Sequence, residues 1–430
     1  MFIVVLLTIF SVVTFAAGQQ EATAEALKGK VTMSGGAYLM RSAQDVWDTG
    51  SMPAKYPNIK FKATGYPYLE YAKKMKIAIA ANESDPDILV VHSRWIQDFL
   101  ALDLVIPITD HINKDDQVTE ALLEVTIDDE IYGYIYEIAP VVMYYRNDIM
   151  EEMGFDLPTT LDQYFAVGRK IAATGKYWDL IDPAGGTHVA AIEREFLNFI
   201  TQLGGDVFGK DGSVILNTAK GKGVEAAQLY YRLFKADFTG HINAERPEGF
   251  TAVKEGKVAG NYIGYAWVHR MRDAIKEGDP TFGEWRMGTP PSLVPGGARS
   301  GSETGTWVFI NKLSDNKKAA IEVAKYFGHS LEGQSALANK HVIIGGYKPA
   351  LEYLQDHSAA WPLLGGQGVQ AKIAEILLTQ KVPIAHADPA MGEAQDILRD
   401  YLTRMLNEEM TPKEAMDAAA SKIQKAQELK

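Results

Sequence analysis

The chain of 430 residues contains no cysteine. Disulfides, thiolate zinc sites, iron–sulfur clusters, cysteine nucleophiles and a lipid-modified N-terminal cysteine are therefore excluded. Basic residues are in the minority, with 43 Lys and Arg against 55 Asp and Glu and a formal net charge of -12. A nucleic-acid surface needs a basic face that neutralises phosphates, so this balance argues against nucleic-acid binding.

The common catalytic and cofactor motifs are also missing. The sequence has no GxxxxGK[ST] phosphate loop, no HExxH zinc helix, no GxSxG nucleophile elbow and no EF-hand loop. His386 and Asp388 form a lone pair in VPIAHADPA, which is more typical of an exposed loop than of a metal site. We therefore expect no metal and no cofactor. A pair of catalytic carboxylates is defined by its spacing in the fold, so that alternative stays open.

Long hydrophobic runs are confined to the N-terminus. Residues 2–17 read FIVVLLTIFSVVTFAA, and the first charged side chain is Glu21. Small residues at Ala16 and Gly18 are typical of a cleavage site, so residues 1–18 predict a secretory signal peptide. The alternatives are a buried strand and an uncleaved membrane anchor, and for an anchor the run falls short of the roughly 20 residues that span a bilayer. We expect an exported protein.

After this segment in the sequence, short β-rich runs alternate with longer helical ones, which is typical of an α/β protein. Three runs predict strands: Lys30–Ser34, Ile59–Ala63 and Asp87–Val91. Residues Leu157 to Thr174 predict a helix that is capped by Thr160 with Gln163 three residues on, and a last helix begins at Thr411. The glycine- and proline-rich stretch Thr289 to Gly305 predicts a long loop. The length suggests two or three domains.

Aromatic side chains are the main functional signal, with 7 Trp and 20 Tyr. Trp95 follows Ser93 and Arg94 just after the predicted strand Asp87–Val91, and α/β proteins place ligand-contacting loops at this carboxyl edge of the sheet. Arg94 offers forked N–H donors, and Trp95 offers a flat apolar face. The alternative is that Trp95 packs on the following helix while Arg94 pairs with a surface carboxylate.

Further candidates lie beside turns or strand ends: Tyr136, Glu137, Tyr265, Trp267 and Trp307. For the first four residues, a role in ligand binding and burial in the core stay open as alternatives. In the strand-like segment GTWVFINK, neighbouring side chains alternate, so one of Thr306 and Trp307 should face a cleft.

Several segments, taken together and in order, resemble one known family. They are PDILVVHSRWIQDFLALDLVIPITDHI from Pro86, DDEIYGYIYEIAPVVMYYRNDIMEEMGFDLPTTLDQY from Asp128, FLNFITQLGGDVF from Phe196, FTAVKEGKVAGNYIGYAWVHRMRD from Phe250 and TGTWVFINKLSDNKKAAIEVAKYF from Thr304. The sequence resembles the extracellular solute-binding proteins of family 1, the carbohydrate-binding components of ABC importers related to the maltose-binding protein.

The resemblance implies an α/β periplasmic-binding-protein fold, with two α/β lobes joined by hinge strands and a ligand cleft between them. Lobe one would hold residues 25–138 and 305–345, and lobe two would hold residues 139–304 and 346–430. The segments IYGYIYEIAPVV and SGSETGTW would then be the hinge crossings.

The resemblance also implies where the ligand contacts fall. They are Gly36, Ala37 and Tyr38 in the first βα loop, Ser93, Arg94 and Trp95, the hinge residues Tyr136 and Glu137, Glu193 and Arg194, and Tyr265 or Trp267. Two positions depart from the family pattern. Ser93 stands where an acidic residue is frequent, and Gly264-Tyr265-Ala266 stands where Gly-Pro-Trp is frequent, so the ligand stays open.

By this resemblance the chain is a receptor that binds a mono- or oligosaccharide between its lobes and delivers it to the permease subunits of an ABC transporter by lobe closure. We expect a monomer in the periplasm or outside the cell, without lipid modification, nucleic-acid partner or enzyme activity. The alternatives are a secreted carbohydrate-active enzyme and a binding protein for a non-sugar solute such as a polyamine. A surface or structural protein is disfavoured because no repeats appear.

Overall fold

The computed structural model describes residues 27–178, 192–242, 246–386 and 388–428. The predicted signal peptide lies outside these ranges. Within them, no helix combines the length and apolar character that crossing a membrane requires.

The strands of the described residues form one main sheet and two small hairpins. They are β1 (Gly29–Gly36), β2 (Ile59–Tyr66), β3 (Ile88–His92), β4 (Thr126–Ile127), β5 (Glu130–Ile131), β6 (Gly133–Arg146), β7 (Gly260–Gly264), β8 (Trp285–Gly288), β9 (Ser302–Ile310), β10 (Ala360–Trp361) and β11 (Gln367–Gly368). The main sheet has the order β2-β1-β3-β9-β6-β7, and β8 also pairs with β6. The three predicted strands are confirmed as β1, β2 and β3, which run parallel.

Helices cover the sheet and build the rest of the molecule. They are α1 (Ala37–Thr49), α2 (Met52–Lys55), α3 (Tyr68–Ala80), α4 (Ile96–Ala101), α5 (Thr119–Leu123), α6 (Asn147–Met153), α7 (Leu161–Ala172), α8 (Ile192–Gln202), α9 (Gly223–Phe234), α10 (Pro247–Lys254), α11 (Trp267–Ala274), α12 (Lys317–Gly328), α13 (Leu331–His341), α14 (Lys348–Asp356), α15 (Val369–Thr379), α16 (Met391–Leu406) and α17 (Pro412–Glu428).

Local capping signals explain where two of these helices begin. Thr160 accepts a hydrogen bond from the backbone N–H of Gln163, and the Gln163 side chain accepts from the backbone N–H of Thr160, which is the predicted capping box of α7. The carboxylate of Glu414 accepts from the backbone N–H of Thr411 at 2.8 Å in front of α17. Both predicted helices are confirmed, although α7 begins at Leu161 rather than at Leu157.

Strand β6 joins the two halves of the molecule. Its first half pairs antiparallel with β9, and its second half pairs with β7 and β8. The predicted hinge crossing IYGYIYEIAPVV lies mostly within this single strand of 14 residues. The predicted loop Thr289 to Gly305 is shorter than expected, because β9 already begins at Ser302.

The apolar side chains form two large cores. The larger core lies around β1, β3, β9 and the first half of β6, and we call this part of the molecule the first lobe. The other core is formed mainly by α7, α8, α9, α16 and α17, which we call the second lobe. In β6, Val142 and Tyr144 face the larger core while Val141 and Met143 face the helical one. Strand β6 therefore physically connects both lobes.

Helices α14 and α15 contribute to the larger core, as do β7 and β8. The sequence placed residues 346–430 in lobe two, and within that span only α16 and α17 belong to the helical core. The boundaries of the two lobes stay a prediction.

Candidate functional site

Three strands bring candidate residues into one row of the main sheet. His92 at the end of β3 pairs with Thr306 of β9, and Thr306 in turn pairs with Glu137 of β6. Residues in register on neighbouring strands place their side chains on the same face. Ser93 follows His92 directly, so the loop after β3 and the hinge residue Glu137 lie at the same edge of the sheet. We call this edge the cleft edge. Its hinge side is the part around Glu137, and its loop side is the part around the loop after β3.

On the hinge side, Tyr265 connects three parts of the chain. Its side chain is 1% exposed, and its hydroxyl donates to Oε1 of Glu137 at 2.7 Å, with the carbonyl oxygen of Val342 at 2.9 Å. Burial and the neighbouring negative charge of Glu137 hold the pKa of Tyr265 well above its ordinary value. The phenol therefore stays protonated at neutral pH and acts as a donor to the carboxylate.

Tyr38 lies across from α11 on the same side. Gly36 is the N-cap of α1 and Ala37 its first residue, so Tyr38 sits in the first helical turn, 43% exposed. Its ring centroid is 6.0 Å from that of His269, and its hydroxyl donates to the carbonyl oxygen of His341 at 2.5 Å. Burial and the charge of Glu137 raise the pKa of Tyr38. Tyr38 is thus a neutral, partly exposed aromatic group beside Glu137.

His269 faces this group from α11 as a neutral imidazole. Burial, followed by the positive charge of Arg272, lowers the pKa of His269 to about 4. The sequence pattern does not select His269. It lies two positions after Trp267 on the same short helix, and residues two positions apart point to different sides of a helix, so the predicted contact at Trp267 does not indicate it.

Tyr136 supports the hinge side from within the core. Its side chain is fully buried, and its hydroxyl donates to the carbonyl oxygen of Leu39 at 3.2 Å. This bond holds the first turn of α1, on which Tyr38 lies. Tyr136 therefore fixes the position of an exposed neighbour and is not itself exposed in this structure.

On the loop side, Ser93, Arg94 and Trp95 form a single 3-10 turn. The Nδ1 atom of His92 accepts the backbone N–H of Arg94 at 3.2 Å, and the Ser93 hydroxyl lies 3.3 Å from the same atom. Burial, then the charges of Arg194 and Arg94, lower the pKa of His92 to about 3. His92 is therefore neutral at pH 7 and can keep Nδ1 as an acceptor. The ring of Trp95, 5.9 Å from that of His92, is partly exposed.

Arg94 reaches the second lobe. Its Nη2 donates to Oδ1 of Asp396 at 2.7 Å and to the carbonyl oxygen of Gly392 at 3.2 Å, both on α16. The sequence predicts Arg94 as a ligand contact, with a surface carboxylate as the alternative partner. In the structure the guanidinium of Arg94 binds the carboxylate of Asp396, which belongs to the second lobe.

Glu193 and Arg194 lie in the first turn of α8 but differ in surroundings. Glu193 is 1% exposed and receives two hydrogen bonds from Arg399, with Nη2 at 2.7 Å from Oε1 and Nε at 3.2 Å from Oε2. Arg194 is partly exposed, and its charge lowers the pKa of His92. Arg194 therefore faces the loop side, whereas Glu193 is held inside the second lobe.

Two predicted contacts lie in the core. Trp267 is 3% exposed and its ring is surrounded by those of Tyr144, Phe250 and Trp285, with centroids 5.1 to 6.1 Å away. Trp307 is fully buried, and its indole N–H donates to the carbonyl oxygen of Ala121 at 3.1 Å. Neither ring is available to a ligand in this conformation. Of the pair Thr306 and Trp307, Thr306 is the one in the row of the cleft edge.

Among the described residues, no group of three or more His, Cys, Asp or Glu side chains is arranged to hold a metal ion. The carboxylate of Asp388 accepts the backbone N–H of Ala390 at 2.8 Å, in front of α16. The backbone N–H of His386 donates to Asp206 at 2.8 Å. His386 and Asp388, the pair noted in the sequence, therefore make hydrogen bonds in the segment that leads into α16.

Comparison with known proteins supplies a context for this geometry. Residues 52–364 match the sequence profile of the family described as bacterial extracellular solute-binding protein. An arabinooligosaccharide-binding protein of Bacillus subtilis is 27% identical over 395 residues, which cover 86% of this chain and 86% of the relative. One of Halalkalibacterium halodurans is 23% identical over 280 residues, and that match covers 62% of this chain and 60% of the relative.

The fold has close counterparts among solved structures. The sugar-binding protein MalE of Xanthomonas citri superposes with a TM-score of 0.77, covering 92% of this chain and 96% of the other at 15% identity. At this identity the likeness concerns the fold alone. It confirms the two-lobed α/β fold class that the sequence predicted.

Proposed function

The chain belongs to the bacterial extracellular solute-binding proteins, and on that premise we propose that it is the receptor component of an ABC importer for a neutral carbohydrate. The carbohydrate would bind at the cleft edge between the lobes and pass to permease subunits in the membrane. The two relatives named as arabinooligosaccharide-binding proteins favour an oligosaccharide over other solutes.

The pairing of charges at the cleft edge carries the proposal of a neutral ligand. Arg94 is paired with Asp396, Glu193 is paired with Arg399, and Glu137 already accepts the hydroxyl of Tyr265. A charged solute needs an opposite charge that is free to bind it, since burying an unpaired charge is costly. Within the described part of the chain, the two arginine–carboxylate pairs are each neutral as a pair, and this favours an uncharged ligand.

The remaining groups suit a sugar. A pyranose or furanose has apolar C–H faces that stack on aromatic rings, and hydroxyl groups that need both donors and acceptors. Trp95 and Tyr38 are the partly exposed aromatics on the two sides of the cleft edge. Glu137 has further lone pairs for a sugar hydroxyl on the hinge side, and Ser93 and Arg194 lie on the loop side. We therefore assign ligand binding to Tyr38, Ser93, Trp95, Glu137 and Arg194.

The two alternatives from the sequence are less well supported. A polyamine receptor would present several carboxylates to its ligand, yet Glu193 and Asp396 are occupied by arginines. A glycoside hydrolase would use two carboxyl groups that flank the sugar, typically about 5 to 10 Å apart. Of the described acidic side chains at the cleft edge, Glu193 and Asp396 are bound by arginines and Glu137 accepts the hydroxyl of Tyr265, an arrangement that does not suit such a pair. The described groups at the cleft edge therefore favour a protein that binds a sugar without cleaving it.

The family is extracellular by its description, so we place this protein in the periplasm or outside the cell. Export would depend on residues 1–18, the predicted signal peptide. A single chain with two lobes can close on its ligand by itself, which is consistent with a monomer.

A thermal-shift screen tests the proposal directly, because a ligand that binds only the folded state raises the melting temperature. The panel contains arabinooligosaccharides, maltose and lactose, with spermidine and a uronic acid as charged comparisons. The proposal predicts a rise with at least one neutral sugar and none with the charged solutes. A rise with spermidine alone would assign the receptor to a cationic solute.

A further inference from the structure

The contact between Arg94 and Asp396 is an ion pair that joins the two lobes. Arg94 belongs to the turn after β3 in the first lobe, and Asp396 lies on α16 in the second lobe. Their charged atoms are 2.7 Å apart, and the side chains are 17% and 56% exposed. They are 302 positions apart in the chain, so only the docking of the lobes brings them together.

Asp396 is the second member of a row of four alternating charges, Arg94, Asp396, Arg399 and Glu193. Its Oδ1 also accepts from Nη1 of Arg399 at 3.1 Å, and Arg399 is bound in turn to the buried Glu193. Three of these four groups, Glu193, Asp396 and Arg399, lie within the second lobe. Arg94 is therefore the one member that lobe opening would remove, and the other three would stay paired.

Arg94 also meets the start of α16, since its Nη2 donates to the carbonyl oxygen of Gly392 in the first turn. The guanidinium thus makes a charged and a neutral hydrogen bond to the same helix. Arg94 is mostly buried by these contacts, which limits the screening of its charge by solvent. Both bonds exist only while the lobes are together.

We infer that Asp396 is a positioning residue for ligand binding, which stabilises the closed arrangement of the lobes by holding Arg94 across the cleft edge. Asp396 touches Arg94 and not the ligand, so it acts through the ratio of closed to open molecules. A ligand that needs the closed state binds more weakly when that state is less populated. The inference rests on the proposed function only in assuming that the cleft opens and closes.

The experiment uses the unliganded full chain, so its result does not depend on which solute binds. Because the chain has no cysteine, Lys73→Cys on α3 and Gln424→Cys on α17 place one exposed label on each lobe without competing sites. Single-molecule energy transfer between the labels then gives the ratio of closed to open molecules. The comparison variants are Asp396→Asn, which removes the charge, and Asp396→Glu, which keeps it.

The matched control is Glu409→Gln, which removes the same charge just beyond α16. Glu409 pairs with Arg404 at 3.2 Å, entirely within the second lobe. Asp396→Asn should lower the closed-to-open ratio about two- to fivefold, while Glu409→Gln leaves it unchanged and Asp396→Glu retains most of it. Raising the salt from 0.05 M to 0.5 M should lower the ratio of the parent protein and not that of Asp396→Asn.

A double-mutant comparison covers the case in which Asp396→Asn alters the fold. Arg94→Gln removes the other partner together with its bond to Gly392, so it should produce an equal or larger change, and the double variant should add little to Arg94→Gln alone. A purely structural role for Asp396 would lower the melting temperature and leave the closed-to-open ratio and its salt dependence as they were. Equal ratios for the parent and Asp396→Asn, or an equal shift in Glu409→Gln, would overturn the inference.

Discussion

The hydroxyl of Tyr265 donates to Oε1 of Glu137 at 2.7 Å, and this bond joins the loop after β7 to the hinge strand β6. The carbonyl oxygen of Val342, just after α13, lies 2.9 Å from the same hydroxyl. Val342 has φ +53°, a left-handed conformation that a β-branched residue rarely adopts. The phenol thus helps to hold a strained turn against the hinge, and Glu137 is oriented by the protein before any ligand arrives.

Replacing Tyr265 by Phe removes this donor. Tyr265 is almost fully buried, so the carboxylate and the carbonyl oxygen lose a partner that water cannot easily replace. We expect the free energy of unfolding in urea to fall by about 1–3 kcal/mol. Tyr353→Phe, at a tyrosine that is 37% exposed, is the control and should change it little. Equal stability of both variants would show that the bond between Tyr265 and Glu137 contributes nothing.

Replacing Glu137 by Gln keeps the size of the side chain and removes its charge. If the carboxylate accepts a hydroxyl of the ligand, its charge-assisted hydrogen bond is lost, and the dissociation constant should rise about tenfold or more. Calorimetry with the sugar that the thermal-shift screen selects measures this. Glu152→Gln, at an exposed position of α6, is the matched control. Unchanged affinity in the Glu137 variant would remove Glu137 from the site.

Trp95 and Trp267 should respond differently to replacement by Ala. Trp95 is partly exposed at the cleft edge, so the variant should lose about tenfold or more in affinity for the sugar and little stability. Trp267 packs among three other aromatic rings, so its variant should lose about 3–5 kcal/mol of stability. Urea unfolding together with calorimetry separates the two effects. A stable Trp267 variant with weakened binding would restore Trp267 to the ligand site.

His92 should make the protein sensitive to acid. Its folded-state pKa of about 3 lies below the ordinary value near 6.5, so the unfolded chain binds the proton first as the pH falls. The contribution of His92 is complete above pH 6.5 and decreases from there toward pH 3, by at most about 1.4 kcal/mol per pH unit. The difference in unfolding free energy between the parent and His92→Gln should therefore shrink over this interval. An NMR titration midpoint of His92 near 6.5 would contradict the prediction.

Much of the fold follows from local patterns in the sequence. The continuous apolar run before His92 predicts β3 because a strand covered on both faces needs no polar alternation. The capping box of Thr160 and Gln163 predicts where the α7 helix begins. Strand β6 contains Pro140 in the middle of its length. Proline has no backbone N–H for the ladder, and it is tolerated here since the pairing with β9 is irregular between Ala139 and Pro140.

The site was predicted only in part, because tertiary packing decides which aromatic side chains are exposed. Position after a strand suggested both Trp95 and Trp267, yet the neighbouring rings of Trp285 and Phe250 cover the second one. The partner of Arg94 was named only as a surface carboxylate, since nothing local relates residue 94 to residue 396. Nothing local predicts His269 either, because its contact with Tyr38 joins two helices that are distant in the sequence, α11 and α1.

Isothermal titration calorimetry of the full chain with the neutral oligosaccharide selected in the screen tests the central claim most directly. We expect heat that saturates at one sugar per chain and then stops, because binding breaks no bond. Saturable heat with spermidine and none with neutral sugars would contradict the proposed ligand. Heat that continues after each injection would indicate turnover and would contradict the assignment as a receptor.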